Sequence, residues 1–305
     1  MRKWLKRLAE QGAVRGGLPG LLAWRVAGRG LILAYHNVVP DGESPWGEQT
    51  LHVPFQRFKE HVEILQTHTT LVPLRTLLTG TGDPSGPPQV ALTFDDGYRG
   101  AVVTAGEWLR GQGVPATFFV NPGLLECEGF WWDRLAQGFG GELPGEIRAH
   151  CLEELVGRQE EVCAWARFEG MATPSAPDHA RPADPELLRG IADTQLLELQ
   201  CHSWSHPNLS RLTVTEQEAE LDAASTWLND NTGGGKPYAI SYPYGLTSTS
   251  VQATARATGF AFGLLVAGGW MPPVQYRAPF QIPRLNIPSG LSPEGLRLRL
   301  VGVGR

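Results

Sequence analysis

The 305-residue sequence predicts an α/β fold, barrel-like or doubly wound. Two observations carry that expectation. Short apolar runs alternate with stretches of helical spacing along most of the chain, which is the rhythm of βα units. Residues able to do chemistry also fall at the C-terminal ends of successive apolar runs: His36, Asp95, His202 and Tyr244. A βα barrel places its site there.

The elements follow in order. Leu31 to His36 reads as a strand ending in a histidine, and Pro40 to Trp46 as a loop. Phe55 to Thr67 has Phe55, Phe58, Val62 and Leu65 on one helical face. Leu71 to Leu74 is a short apolar stretch leading into a helical turn, and Gly80 to Pro88 is a Gly/Pro loop. Val90-Ala91-Leu92 enters the strand that ends in Thr93-Phe94-Asp95-Asp96-Gly97. A helix over Tyr98 to Gln112 and a strand over Ala116 to Val120 complete a parallel βαβ unit. From about 124 to 185 the rhythm breaks. The aromatic cluster Phe130-Trp131-Trp132-Asp133, a charged helical stretch over Glu146 to Phe168 and a Pro-rich loop read as an insertion covering one face.

The βα alternation then resumes. Pro185 to Asp193 is a short helix with Pro at its start, and Leu196 to Cys201 is a strand leading to His202. Thr215 to Glu218 reads as a capping box opening a helix to about Asn229. Gly233 to Gly235 is a turn, Tyr238 to Tyr242 a strand, and Ser248 to Thr258 a helix. Phe260 to Val266 and Ile282 to Ile287 are the last strands.

Net charge is −5, so nothing overall suggests a nucleic-acid partner. The four cysteines show no CxxC spacing and point to a reducing compartment. Residues 1–29 stand apart from 30–305. They hold seven Arg or Lys against one acid, Glu10, with leucines and Trp4 and Trp24 between. Gly16, Gly17, Pro19 and Gly20 break the segment, so it does not read as a signal peptide. Two readings stay open for it: an amphipathic segment touching an anionic membrane surface, or a helix packed on the domain with a solvated basic face. The expected location is cytoplasmic, with peripheral membrane association under the first reading.

Two adjacent carboxylates at the end of a buried strand are costly unless paired, protonated or metal-bound. Strand alternation lets Asp95 and Asp96 point differently and do different jobs. His202 and His206 stand at metal-ligand spacing, with Ser203 where a zincin helix needs Glu. Two histidines and one carboxylate leave coordination positions open for water and substrate, and several divalent metals use such a set.

Thr93-Phe94-Asp95-Asp96-Gly97, then His202-Ser203-x-x-His206-Pro207, then Tyr242-Pro243-Tyr244-Gly245 resemble the successive motifs of the polysaccharide deacetylase family (NodB homology, carbohydrate esterase family 4). The resemblance extends from about Leu31 to Ile287. It implies a distorted (β/α)7 barrel with a helical insertion and metal-dependent removal of acetyl groups from an N-acetylhexosamine of a polysaccharide or glycan precursor. It further implies that Asp96, His202 and His206 hold a divalent ion, Zn2+ first and Co2+, Ni2+ or Fe2+ otherwise. Asp95 would be the general base, and the backbone N–H of Tyr244 would meet the oxyanion.

Two departures from the family pattern matter. No histidine follows His206, so the late catalytic acid is missing. Tyr35-His36 resembles a permuted subgroup that includes poly-N-acetylglucosamine deacetylases, in which the acid comes from this N-terminal position. His36 is therefore the candidate acid, against the alternative of a structural strand histidine. Ser241 stands where the family often has the arginine that orients the base, and Arg284 on the last strand is its candidate replacement. Trp131, Trp132 and Trp204 could stack on sugar rings or simply pack, and Asp133 could bind a sugar hydroxyl or cap a helix. Two rival functions share these residues: a catalytically inactive carbohydrate-binding barrel, and an amidase acting on a non-sugar substrate.

Overall fold

Parallel pairing closes seven strands into a ring. The structure is a computed structural model describing residues 2–80, 86–192, 196–233, 235–272 and 277–303. Its strands are β1 (Gly30–Tyr35), β2 (Asn37–Val39), β3 (His52–Pro54), β4 (Thr70–Leu71), β5 (Gln89–Phe94), β6 (Ala116–Val120), β7 (Leu197–Cys201), β8 (Ala239–Ser241), β9 (Phe262–Gly268) and β10 (Ile282–Asn286). The ring runs β1-β10-β9-β8-β7-β6-β5 and returns to β1. Tyr35 pairs with Phe94 where β5 closes on β1, and Leu33 with Leu285 where β10 does. Short β4 pairs only with the first two residues of β5, and β2 and β3 form a separate parallel pair. This is the expected α/β barrel of seven strands. Its distortion is local: between Ile282 and Arg284 the register of β10 against β9 jumps from Leu264 to Gly268, the signature of a bulge.

The period of two along each strand explains what faces where. Ile32, Ala91, Phe119, Ala239, Leu264 and Ile282 meet in a small interior core, closed at one end by Leu74, Leu77 and Leu78. Their neighbours Leu31, Leu33, Leu92, Phe118 and Ile240 belong to the larger outer core under the surrounding helices. Continuing the interior parity upward gives Thr93 and Asp95 on β5, Ser241 on β8, Arg284 on β10 and His36 just past β1. Cys201 has the opposite parity to His202 and is buried in the outer core, as strand alternation requires.

Several elements differ in detail from the sequence expectation. The capping box is two residues upstream of its expected place. Thr213 is the N-cap, its hydroxyl accepting from Glu216 N, and the helix runs Val214–Thr232. The outer residue count misleads here, because Thr215 also has a Glu three positions on. The stretch Glu146 to Phe168 is two helices, Gly145–Glu153 and Gln159–Phe168. They part at Val156 and Gly157, both with left-handed backbone (φ 56° and 70°). There the Val156 carbonyl accepts from Asn208 N and the Gly157 carbonyl from Trp131 Nε1. After β5 the chain first winds as a π-helix, Ala101–Gly106, and only then as α-helix, Glu107–Gly111. Parts of the Gly80–Pro88 loop, the Gly233–Gly235 turn and the end of the Pro185–Asp193 stretch lie outside the described residues. No described helix is long and apolar enough to cross a membrane.

Candidate active site

The site gathers at the C-terminal ends of the barrel strands, around Asp96, His202 and His206. Asp96 Oδ1 lies 3.2 Å from Nε2 of both histidines, and the two Nε2 atoms are 3.2 Å apart. Tetrahedral zinc with ligand bonds of about 2.0–2.1 Å holds its donor atoms roughly 3.3 Å apart. The three side chains therefore fit one such ion. His202 Nδ1 donates to the Ser241 carbonyl (2.7 Å), which fixes the ring and turns the Nε2 lone pair inward. All three residues are buried.

Backbone strain concentrates at this point. Among the described residues five non-glycine positions have φ in the left-handed region, and four of them are Asp96 (71°), Ser203 (66°), His206 (58°) and Tyr244 (58°). Such conformations cost on the order of 1–3 kcal/mol each and persist where the surroundings enforce them. At Asp96 the effect is to end β5 and swing the carboxylate off strand parity, so that it joins the two histidines while Asp95 stays on the interior column. At Ser203 and His206 it folds the loop back on itself, with Ser203 Oγ accepting from His206 N (3.0 Å).

Asp95 is held by a guanidinium fork. Arg284 Nη1 donates to Asp95 Oδ1 (2.8 Å) and Nη2 to Oδ2 (2.6 Å). Nη1 also reaches Thr93 Oγ1 (3.1 Å), Nη2 reaches Ser241 Oγ (2.7 Å), and Nε donates to the Leu265 carbonyl (2.7 Å) in the irregular stretch of β9. Arg284 is fully buried. Burial alone would raise the Asp95 pKa, but the Arg284 charge and hydrogen bonds, with His202, hold it below the ordinary carboxylate range. Asp96 is likewise depressed, because the hydrogen bonds from His202 and His206 overcome its burial. His202 is raised: burial works downward, and the charges of Asp95 and Asp96 outweigh it.

His36 faces the same cleft, half-buried, with its Nδ1 buried and without a hydrogen-bond partner. Burial lowers its pKa against the pull of Asp96 and Asp95. Tyr244 and Trp132 wall the cleft and pack on His206, with ring centroids 4.4 and 4.6 Å away. The cleft encloses about 230 Å³. A larger cavity of about 840 Å³ adjoins it, since Val266 and Asn286 line both.

Two residues expected at the substrate face elsewhere. Asp133 does not line the cleft. Its buried carboxylate accepts from Tyr98 Oη (2.6 Å), Glu48 N (2.8 Å) and His52 Nε2 (3.1 Å). Tyr98 Oη in turn accepts from Trp132 Nε1 (2.8 Å), so Asp133 fixes Trp132, which packs on His206. Trp204 is also outside the cleft. Glu220 receives Trp204 N (3.0 Å) and Ser205 N (2.8 Å), and the indole lies on Gly123, where any side chain would collide with it. Trp131 is buried, donating to the Gly157 carbonyl and the Tyr244 hydroxyl (both 3.1 Å).

The cleft also holds residues that sequence reasoning passed over: Thr50, Leu51, Arg148 and Asn286. Asn286 was findable, since it continues the 282–284 parity of β10. Arg148 carries no local signal. It sits on the Gly145–Glu153 helix and pairs with Glu48 (3.4 Å).

The polysaccharide deacetylase family model matches residues 82–263. The chain belongs to the polysaccharide deacetylase family. It is accordingly a hydrolase of carbon–nitrogen bonds other than peptide bonds, and it deacetylates a polysaccharide. Solved deacetylase structures share the fold. The deacetylase PplD of Streptococcus pyogenes, in complex with acetate, superposes with a TM-score of 0.63 at 18% identity, over 89% of this chain and 98% of that one. IcaB from Ammonifex degensii gives 0.60 at 16% identity, over 90% and 98%. The deacetylase domain of BpsB from Bordetella bronchiseptica gives 0.54 at 17%, over 84% and 95%. No curated protein sequence matches the chain.

Proposed function

We propose that this polysaccharide deacetylase hydrolyses the N-acetyl group of a hexosamine residue in a glycan, using a divalent ion held by Asp96, His202 and His206, with zinc the expected ion. The observation that carries the proposal is the convergence of three buried ligand atoms at 3.2 Å spacing beside a second carboxylate locked by an arginine fork. Two imidazole Nε2 atoms that close, both facing a carboxylate, form a donor set suited to a cation.

A divalent ion there supplies Lewis acidity, polarising the acetyl carbonyl and acidifying water. The remaining work belongs to the chain. Asp95, ionised and oriented by Arg284 and Ser241, accepts the proton of the attacking water. The Tyr244 N–H stabilises the developing oxyanion from the cleft wall. His36, in the imidazolium form that the neighbouring Asp96 and Asp95 charges favour against burial, gives its proton to the departing amine nitrogen and is reprotonated from solvent, while Asp95 returns the water proton to solvent. The adjoining larger cavity gives the flanking sugars of a polymer or a glycan precursor somewhere to lie.

Metal analysis of the purified chain, combined with acetate release from acetylated chito-oligosaccharides, tests the reading. One equivalent of metal and acetate release abolished in Asp95→Asn would support it. A metal-bearing chain inactive on every acetylated glycan, but turning over acetylated non-sugar amides, would replace it with an amidase. Binding of glycan without any turnover would indicate an inactive carbohydrate-binding barrel.

A further inference from the structure

The N-terminal segment packs on the domain yet turns a cluster of large apolar side chains outward. It comprises helices Arg2–Arg15 and Leu18–Leu22 and a 3-10 turn, Ala23–Arg25. In the first helix Trp4, Leu5 and Leu8 share one face and are 63, 53 and 46% exposed. Leu21 (70%) and Trp24 (76%) continue the exposed apolar surface. Among the described residues only eight large hydrophobic side chains are exposed, and five of them lie in these 21 positions. Scattered exposed hydrophobes need no explanation, but a cluster does.

The inward face is where the polar contact sits. Glu10 accepts a hydrogen bond from Ser292 Oγ (2.6 Å), the N-cap of the helix Pro293–Arg299. The only acid of the segment is thereby turned into the protein. Lys6, Arg7, Arg15, Arg25 and Arg29 remain on the surface around the apolar cluster. Residues 1–29 carry seven basic side chains and one acidic, a net of +6, whereas the other 276 residues carry 19 and 30, a net of −11. The sign and the apolar surface together suit an anionic, apolar-cored partner. Tryptophan and leucine flanked by Arg and Lys match the acyl–headgroup boundary of an anionic bilayer.

We infer that residues 4–29 dock the enzyme flat on an anionic lipid membrane, with Trp4, Leu8, Leu21 and Trp24 entering the headgroup region and the surrounding basic residues meeting lipid phosphates. The deacetylase cleft is then carried at a membrane surface. The docking is independent of the catalytic reading, because Trp4, Leu8, Leu21 and Trp24 line neither the cleft nor the adjoining cavity.

Co-sedimentation of the full chain with vesicles tests it, using phosphatidylcholine alone and phosphatidylcholine mixed with phosphatidylglycerol. Each basic residue near an anionic surface contributes about 1 kcal/mol, so binding at least about tenfold tighter to the mixed vesicles is expected, weakening with salt. Trp4→Ser with Leu8→Ser, and separately Arg7→Glu with Arg15→Glu, should each lower that binding about tenfold or more while leaving the melting temperature unchanged. If the variants fail to fold, hydrogen exchange of the parent chain decides: vesicle-dependent protection confined to residues 4–29 supports the inference. Equal binding to both vesicle types, no protection there, or a stable dimer that hides Trp4 and Trp24 in solution would overturn it.

Discussion

Arg284 grips both oxygens of Asp95, 189 residues away in sequence, at 2.8 and 2.6 Å. The pair crosses the barrel interior from β10 to β5, and Ser241 on β8 closes it by donating to Asp95 Oδ2 (3.1 Å) while accepting from Arg284. Both partners are buried, so breaking the pair leaves an uncompensated charge. Arg284→Met should destabilise the chain by about 3–5 kcal/mol, and acetate release should fall about a hundredfold or more as Asp95 loses its orientation. Urea unfolding and initial rates measure the two effects. Adding Asp95→Asn to Arg284→Met should recover part of the stability and none of the activity. A double variant as unstable as the sum of the singles would mean that Arg284 acts mainly by packing.

The proposed metal centre assigns the two aspartates different roles. Asp95→Asn should keep the ion and lose turnover, since in the proposed centre the ligand atoms would come from Asp96, His202 and His206. His206→Ala should lose the ion as well. Chelation of the wild-type chain should lower its melting temperature, because an ion bound only to the folded state stabilises that state. Restored metal should return both melting temperature and acetate release. Elemental analysis of each variant beside its activity checks the division of roles. An Asp95→Asn chain that is metal-free would overturn it.

His36→Gln should reduce kcat by about a hundredfold or more with little change in KM, the range for loss of a positioned general acid. A substrate with a better leaving group, such as an acetylated arylamine, should be far less affected. Near-normal deacetylation of the sugar substrate by the variant would place the acid elsewhere.

Local sequence fixes some of these side chains and leaves others to distant segments. Asp95, Asp96, His202 and His206 were legible because a strand end and a short loop fix their neighbourhood within a few residues. Arg284 was reachable by asking what replaces a missing arginine, and its inward direction follows from the parity of Ile282. Trp204 and Asp133 face away from the cleft, because adjacency to a motif does not set side-chain direction. Glu220, 16 residues beyond Trp204, turns that loop, and Glu48 and His52 reach Asp133 from 85 and 81 residues away. The left-handed residues were invisible for a related reason, since the packing that enforces them is assembled from distant segments.

Asp133 consequently belongs to stability and positioning. Asp133→Ala would orphan Glu48 N, His52 Nε2 and the Tyr98 hydroxyl in a dry interior, a loss of about 2–4 kcal/mol. The Tyr98–Trp132 contact beneath His206 would loosen with it. Below the lowered melting point the expected signature is weaker metal retention with KM for the glycan little changed. A raised KM with unaltered stability would instead restore Asp133 to the substrate.

Acid sensitivity should come in part from His61, which does not line the cleft. His61 is buried in the outer shell on the helix Phe55–His68, accepting from Tyr35 Oη (3.2 Å) and donating Nε2–H to the Leu291 carbonyl (3.2 Å). Burial pushes its pKa down to about 4, against an ordinary value of 6.5. The native state thus keeps His61 neutral in a range where the unfolded chain takes up a proton. Its contribution is fully present above pH 6.5 and declines as pH falls toward 4, by on the order of 3 kcal/mol in total. Urea midpoints measured at neutral pH and near pH 5 should therefore differ, and the difference should shrink in His61→Gln, whose side chain does not titrate. An identical pH slope in the variant would assign the acid sensitivity to other groups, Asp95 and Asp96 first. Their depressed pKa values give stability that is present above the ordinary carboxylate range and lost as pH falls further below it.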